Sequence, residues 1–142
     1  MTSPAVPDVA GAGMRLAQAA ESLIGVPFRL GGHDPAVALD CVGMVVAALT
    51  AIGRPVPQLP RYRLREQSIT RFLPLLPAHG FTRAQRADLP GDLLIVRPGP
   101  AQHHLLLLGQ EGQAIHAHAG LGRVCATPMP LAWPVPQIWR LS

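Results

Sequence analysis

The apolar positions fall into two textures. Up to residue 53 they recur at helical spacing, and from residue 91 they come in short runs separated by Gly, Pro and polar turns. Leu16, Ala20, Leu23 and Ile24 share one helical face, with Asp8 as the expected N-cap and Gly25 as the C-cap. A second helix is predicted from Cys41 to Ile52, capped by Asp40 and stopped by Gly53 and Pro55. It is apolar nearly all round, the mark of a central, buried helix. Between the two helices, "VPFRLGGHDP" reads as a loop or a short extended piece. Residues 54–88 are rich in Pro and Arg and hold one weaker helical segment, with Ile69, Phe72, Leu73 and Leu76 apolar and Pro74 interrupting. Then come the strand-like runs "GDLLIVRP", "HHLLLLG", "QAIHAH", "GRVCATP" and "QIWRLS". Helices first and an antiparallel sheet after give an α+β domain.

Length and charge narrow the reading. The 142 residues make one domain, with 1–11 expected as a flexible N-terminus and 54–88 as a variable insertion. Hydrophobic residues at 49% and charged ones at 14% describe a globular chain. All twelve basic residues are Arg, dispersed except for Arg61, Arg63, Arg65 and Arg71, and the formal charge is +4. Aromatic residues, at 4%, are too few to stack bases, so no nucleic-acid partner is expected; an anionic polymer such as cell wall stays open. The stretch "MTSPAVPDVAGAG" has neither a basic segment nor an apolar core. The expectation is a protein made in the cytoplasm without a signal peptide. The longest apolar run, Val42 to Ile52, is too short to cross a bilayer, so no membrane insertion is expected.

Candidate chemistry centres on a thiol and a hairpin. "HLLLLG" and "AIHAH", joined by a polar turn containing Gly112, predict a β-hairpin. Side chains alternate across a strand, so His104 shares a face with Leu106 and Leu108, and His116 with Ala114 and His118. A cysteine at a helix N-terminus, packed against that face, would have what thiol catalysis needs. A free thiol titrates near ~8.5, and a helix N-terminus and a neighbouring imidazolium both favour the thiolate. One imidazole accepts the proton and the other fixes its tautomer and aim. The bland readings stand beside this one. A lone Cys in an apolar helix is more often core, and Cys125 is assigned to that role. One of the pair His103 and His104 must be structural or exposed, and His33 and His118 read as ordinary hydrogen-bonding or exposed residues. A metal site from His103, His104, His116 and His118 lacks nearby carboxylates and fits no zinc spacing, so no metal or other cofactor is expected. These residues alone leave catalysis and a structural role open.

"LIGVPFRLGGHDPAVALDCVGMV" resembles the segment around the nucleophile of NlpC-type cell-wall cysteine peptidases. "LPGDLLIV", "HHLLLLGQEGQAIHAHAGLGRV" and "QIWRLS" resemble that family's later strands, in family order, over about residues 12–142. The resemblance implies a papain-like α+β fold and hydrolysis of amide bonds in peptidoglycan stem peptides, most often between D-glutamate and the following diamino acid. By position, Cys41 matches the nucleophile, His104 the general base and His116 the orienting third residue. Phe28, Asp40 and Val42 then fall at positions near the substrate. Phe28 stands where a Tyr is usual, Val42 where Ser is frequent, and Leu106 where Gly usually follows the base. With "LPRYRL", these departures resemble the branch found in tails of phages and gene transfer agents. That branch implies a larger tail or hub protein as partner and incorporation in a particle that opens the wall. Two competitors remain: a non-catalytic tail-tip protein retaining the fold, and a thiol acyltransferase of the same superfamily, in which the His strand usually precedes the Cys.

Overall fold

The computed structural model describes residues 9–56, 72–99 and 102–142. Helix α1 spans Val9–Ser22. Ala12, Leu16 and Ala20, four residues apart, are fully buried, so one stripe of the helix faces the core. Ile24 does not join them. It lies past the helix end and is 45% exposed. There the chain turns through Gly25 (φ 98°), whose N–H donates to Val124 O. Asp8, the expected cap, lies outside the described residues. Because α1 begins at Val9, residues 9–11 of the expected flexible terminus are helical.

Two short strands, β1 (His33–Asp34) and β2 (Ala38–Leu39), form a small antiparallel ribbon. Helix α2 (Cys41–Ala51) follows directly, with Asp40 as its N-cap and Ile52 as its C-cap, as the sequence pattern predicts. Cys41, Val42, Gly43, Met44, Val45, Ala48 and Leu49 are all buried. An apolar helix with no polar face is driven to be covered on most sides, here by α1 and the main sheet, with Val46 and Ala47 only partly buried.

Within 54–88 the helical segment shrinks to α3 (Leu75–Ala78), starting after Pro74, and Ile69 lies outside the described residues. The same tract holds a strand absent from the sequence reading, β3 (Phe81–Ala84). "FTRA" has one fully buried apolar residue, Phe81, and among the described residues its only strand neighbour is β8. An edge strand with so little alternation leaves a weak signal. The tract is therefore not wholly an insertion, since β3 is part of the sheet.

The remaining strands are β4 (Leu93–Val96), β5 (His104–Leu108), β6 (Ala114–His118), β7 (Arg123–Thr127) and β8 (Gln137–Leu141). They form an antiparallel sheet ordered β3-β8-β4-β5-β6-β7. Alternation divides its apolar residues between two faces. Leu93, Ile95, Leu105, Leu107, Ile115 and Ala117 share the core with α1 and α2. Leu94, Val96, Leu106, Leu108 and Ala114 form a second cluster, covered by Leu131, Trp133 and Val135. The sheet is thus buried on both faces in its middle, helices on one side and a loop on the other.

Gly43 marks the tightest fit of α2. A Cβ there would lie 2.0 Å from Gly32 O and 3.2 Å from Asp40 Oδ1. Gly43→Ala must therefore push the first turn of α2 off the preceding loop. Its expected cost is of the order of 1–3 kcal/mol, read as a lower urea midpoint at unchanged slope. An unchanged midpoint would mean that the loop gives way freely.

Candidate active site

The site begins with the way the chain enters α2. Asp40 is fully buried. Its Oδ1 accepts the Gly43 N–H at 2.7 Å and its Oδ2 the Gly31 N–H at 2.9 Å. Its own N–H donates to Gly32 O at 3.0 Å. These bonds satisfy a helix-start donor and hold the Gly31–Gly32 loop against the first turn. Cys41 is consequently the first helical residue, and its thiol is aimed by a fixed helix end.

The thiol lies against β5. The backbone N–H groups of Leu105, Val42 and Cys41 all act to favour its anion. Burial acts the other way and is larger, and the adjacent Asp40 carboxylate adds to it, so the Cys41 pKa is pushed up to about 12. The helix end and burial thus oppose each other at this thiol, and burial is the larger. A helix N-terminus favours an anion, but here the capping group is itself an anion and water is excluded.

The histidines stand on the neighbouring strands. Leu108 donates to Asp92 O, towards β4, so by alternation the amides of Leu105 and Leu107 point towards β6. Strands β5 and β6 pair through Leu107↔Ile115 and Leu108↔Ala114. The thiol therefore meets the sheet at the β5–β6 seam, at the amide that directly follows His104. Across this seam His104 Nε2 and His116 Nδ1 are hydrogen-bonded at 2.9 Å. Both rings lie edge-on to Trp133, with centroids 6.0 and 6.1 Å away. His116 Nε2 is 2.8 Å from Thr127 Oγ1 and 3.7 Å from Cys125 Sγ.

One expectation is corrected here. Helix α2 does not pack on the face carrying His104 and His116. It covers Leu105, Leu107, Ile115 and Ala117, while the two histidines lie on the Trp133 face with Leu106, Leu108 and Ala114. Burial, then the neighbouring His116 and His118, lowers His104 to about 3. Burial, then His118, lowers His116 to about 4. Both rings are neutral at neutral pH.

The other expected site residues divide. Asp40 and Val42 are buried, at 0% and 1% exposure. Their side chains serve the cap and the core. Phe28 is half-buried against the core and is held by its N–H to Gly122 O. His103 alternates onto the α2 face, and its Nδ1 is buried with no hydrogen-bond partner among the described residues. His33 is exposed, and His118 accepts the Leu121 N–H. Cys125 is a buried free thiol directly opposite His116 in the β6–β7 pairing. Thr127 and Trp133 were missed. Alternation along "RVCAT" puts Cys125 and Thr127 on one face, which was the available signal for Thr127; the loop residue Trp133 has no periodic signal. Among the described residues no group of three His, Cys, Asp or Glu is arranged to hold a metal.

A cysteine opening a buried helix, set against an antiparallel sheet with paired histidines, defines a papain-like α+β protein. The model of the NlpC/P60 family matches residues 25–133, and the chain belongs to that family. It is 31% identical over 134 residues to the peptidoglycan endopeptidase RipB of Mycobacterium tuberculosis, covering 86% of this chain and 50% of RipB. The chain spans about half the length of the curated relatives it matches. The solved structure of RipB aligns with a TM-score of 0.64 at 26% identity, over 95% of this chain and 68% of that one. The NlpC/p60 domain of the peptidoglycan hydrolase SagA gives 0.58 at 25%, over 92% and 97%. NlpC1 from Trichomonas vaginalis gives 0.67 at 23%, over 90% and 44%, a likeness of fold.

The lowered imidazoles link stability to pH. The folded pKa values, about 3 and about 4, lie below the ordinary 6.5. Between these values the unfolded chain binds more protons, so this contribution is present above 6.5 and is lost as pH falls towards 4 and 3. The melting temperature should fall across that window, and less steeply in a His104→Asn, His116→Asn double variant. Equal slopes in the two proteins would contradict the buried, neutral pair.

Proposed function

We propose that the domain hydrolyses amide bonds in peptidoglycan stem peptides, with Cys41 as nucleophile, His104 as general base and His116 orienting the base. The carrying observation is the thiol at the amide of Leu105, the residue that follows His104, with His104 itself hydrogen-bonded to His116. Kinship with RipB supports the substrate class. Since His104 Nε2 is engaged by His116, Nδ1 is the nitrogen left for the thiol proton. The resting site is a neutral thiol and a neutral imidazole. Proton transfer to His104 accompanies attack of Sγ on the scissile carbonyl, where the charge passes from sulfur to oxygen near the α2 N-terminus. His104 then protonates the departing amine, leaving a thioester on Cys41. Water, giving a proton to His104, attacks the thioester and releases the carboxylic acid; the proton returns to sulfur.

The reading extends to cleavage after D-glutamate and to carriage on the tail of a phage or phage-like particle, bound to a larger hub protein. The "LPRYRL" stretch supports the latter, with the Arg61–Arg71 segment as the contact. Two observations favour other readings. The unpartnered Nδ1 of His103 makes it the rival base. The full burial of Cys41 favours a non-catalytic tail protein.

Mass spectrometry of purified peptidoglycan separates these readings. Wild type should release fragments ending in D-glutamate, and Cys41→Ala none. His104→Ala should be slower by on the order of 10²–10⁴, with His103→Ala near wild type. The reverse order of the histidine variants would move the base to His103, and full activity of Cys41→Ala would defeat the peptidase reading. Immunolabelled particles should carry the protein at the distal tail; its absence there would remove the carriage proposal alone.

A further inference from the structure

We infer that Thr127 is a positioning residue that fixes on which nitrogens the His104–His116 pair carries its protons. This deepens the peptidase reading and rests on His104 as the base.

The hydrogen bonds form one line. His104 Nε2 is 2.9 Å from His116 Nδ1, and His116 Nε2 is 2.8 Å from Thr127 Oγ1. Strand pairing builds this contact. Cys125 lies opposite His116 and Thr127 opposite Ala114, so the hydroxyl reaches the ring diagonally on the same face. Each neutral imidazole carries one N–H and one bare nitrogen. The line therefore has two polarities. In the first, His104 Nε2–H donates to His116 Nδ1, and His116 Nε2–H donates to Thr127 Oγ1. This leaves His104 Nδ1 bare, as a base requires. In the second, the Thr127 hydroxyl donates to His116 Nε2, His116 Nδ1–H donates to His104 Nε2, and the proton of His104 sits on Nδ1. That form cannot accept the thiol proton there.

The Thr127 hydroxyl can complete either polarity, but the competent one needs it as an acceptor: without it, the buried His116 Nε2–H loses its oxygen partner and the first polarity is the one penalised. Cys125 Sγ, at 3.7 Å, competes for the same His116 N–H, but sulfur is the weaker and here the more distant acceptor. The Thr127 oxygen is the group that holds the proton on His116 Nε2. Without it, the first polarity is disfavoured, because among the described residues only the more distant Cys125 sulfur is left to accept from this nitrogen.

The test is nitrogen-15 NMR of the histidine side chains in the full chain, with kinetics on peptidoglycan. Wild type should show both rings protonated at Nε2. Thr127→Val should give mixed tautomers and a kcat lower by roughly 3- to 10-fold, the value of one hydrogen bond, at unchanged KM. Thr127→Ser should restore both signals, and Cys125→Ala should match wild type. Thr127→Ala gives the same reading if the valine variant does not fold. Wild-type tautomers in the hydroxyl-free variant would overturn the inference, as would a tautomer change in Cys125→Ala with none in Thr127→Val. The NMR signal does not depend on turnover. An inactive wild type therefore counts against the peptidase reading, and unmoved tautomers count against Thr127.

Discussion

The Asp40 carboxylate is buried and bonded on both oxygens, to the Gly43 N–H on one and the Gly31 N–H on the other. A carboxylate removed from water is tolerated only where donors replace its hydration, and the N-terminus of α2 supplies them. The consequence is geometric. The Gly31–Gly32 loop and the first turn of α2 become one unit, packed so closely that Gly43 has no room for a Cβ. Cys41, opening the helix, takes its direction from that unit. The thiol reaches the Leu105 amide because the helix is held at this end. The histidines reach the same seam on strands of their own.

The same burial sets the electrostatics. It pushes the thiol up and both imidazoles down, so the resting site carries no ion pair. On the proposed mechanism a neutral pair puts weight on tautomers: with no imidazolium to attract a thiolate, His104 as base must already present a bare nitrogen. The line from His104 through His116 to Thr127 supplies that order. Trp133 lies against both rings and belongs to the cluster on their face of the sheet. Membership of the NlpC/P60 family and the likeness to the RipB structure agree with this fold.

Much of this was legible in the residues. Helix α2 was readable because Asp40 caps it, Gly53 ends it and its apolar run lacks a polar face. The strands from β4 onward were readable because each is a short apolar run between turn residues, and the pairing of His104 with His116 follows from alternation on a hairpin. What failed was everything that depends on which side a neighbour packs. Both faces of β5 carry leucines, so periodicity could not tell which face α2 covers. Asp40 and Val42 were placed near the substrate by their position beside Cys41, and position along the chain says nothing about burial. Strand β3 was missed because a single buried Phe81 at a sheet edge carries little pattern. Local rules count how the helix end favours a thiolate and leave out the surrounding core, whose burial acts the other way.

The central claim is that Cys41 forms a covalent bond to the peptide it cleaves. Acid-quenching a digestion of peptidoglycan and mapping the protein by mass spectrometry tests it most directly. The account predicts a stem-peptide acyl group on the fragment holding Cys41, labile to hydroxylamine and more abundant when His104, which activates the deacylating water, is replaced by a weaker base. Turnover of the wall with no acyl group on Cys41, or with the group on Cys125, would contradict it.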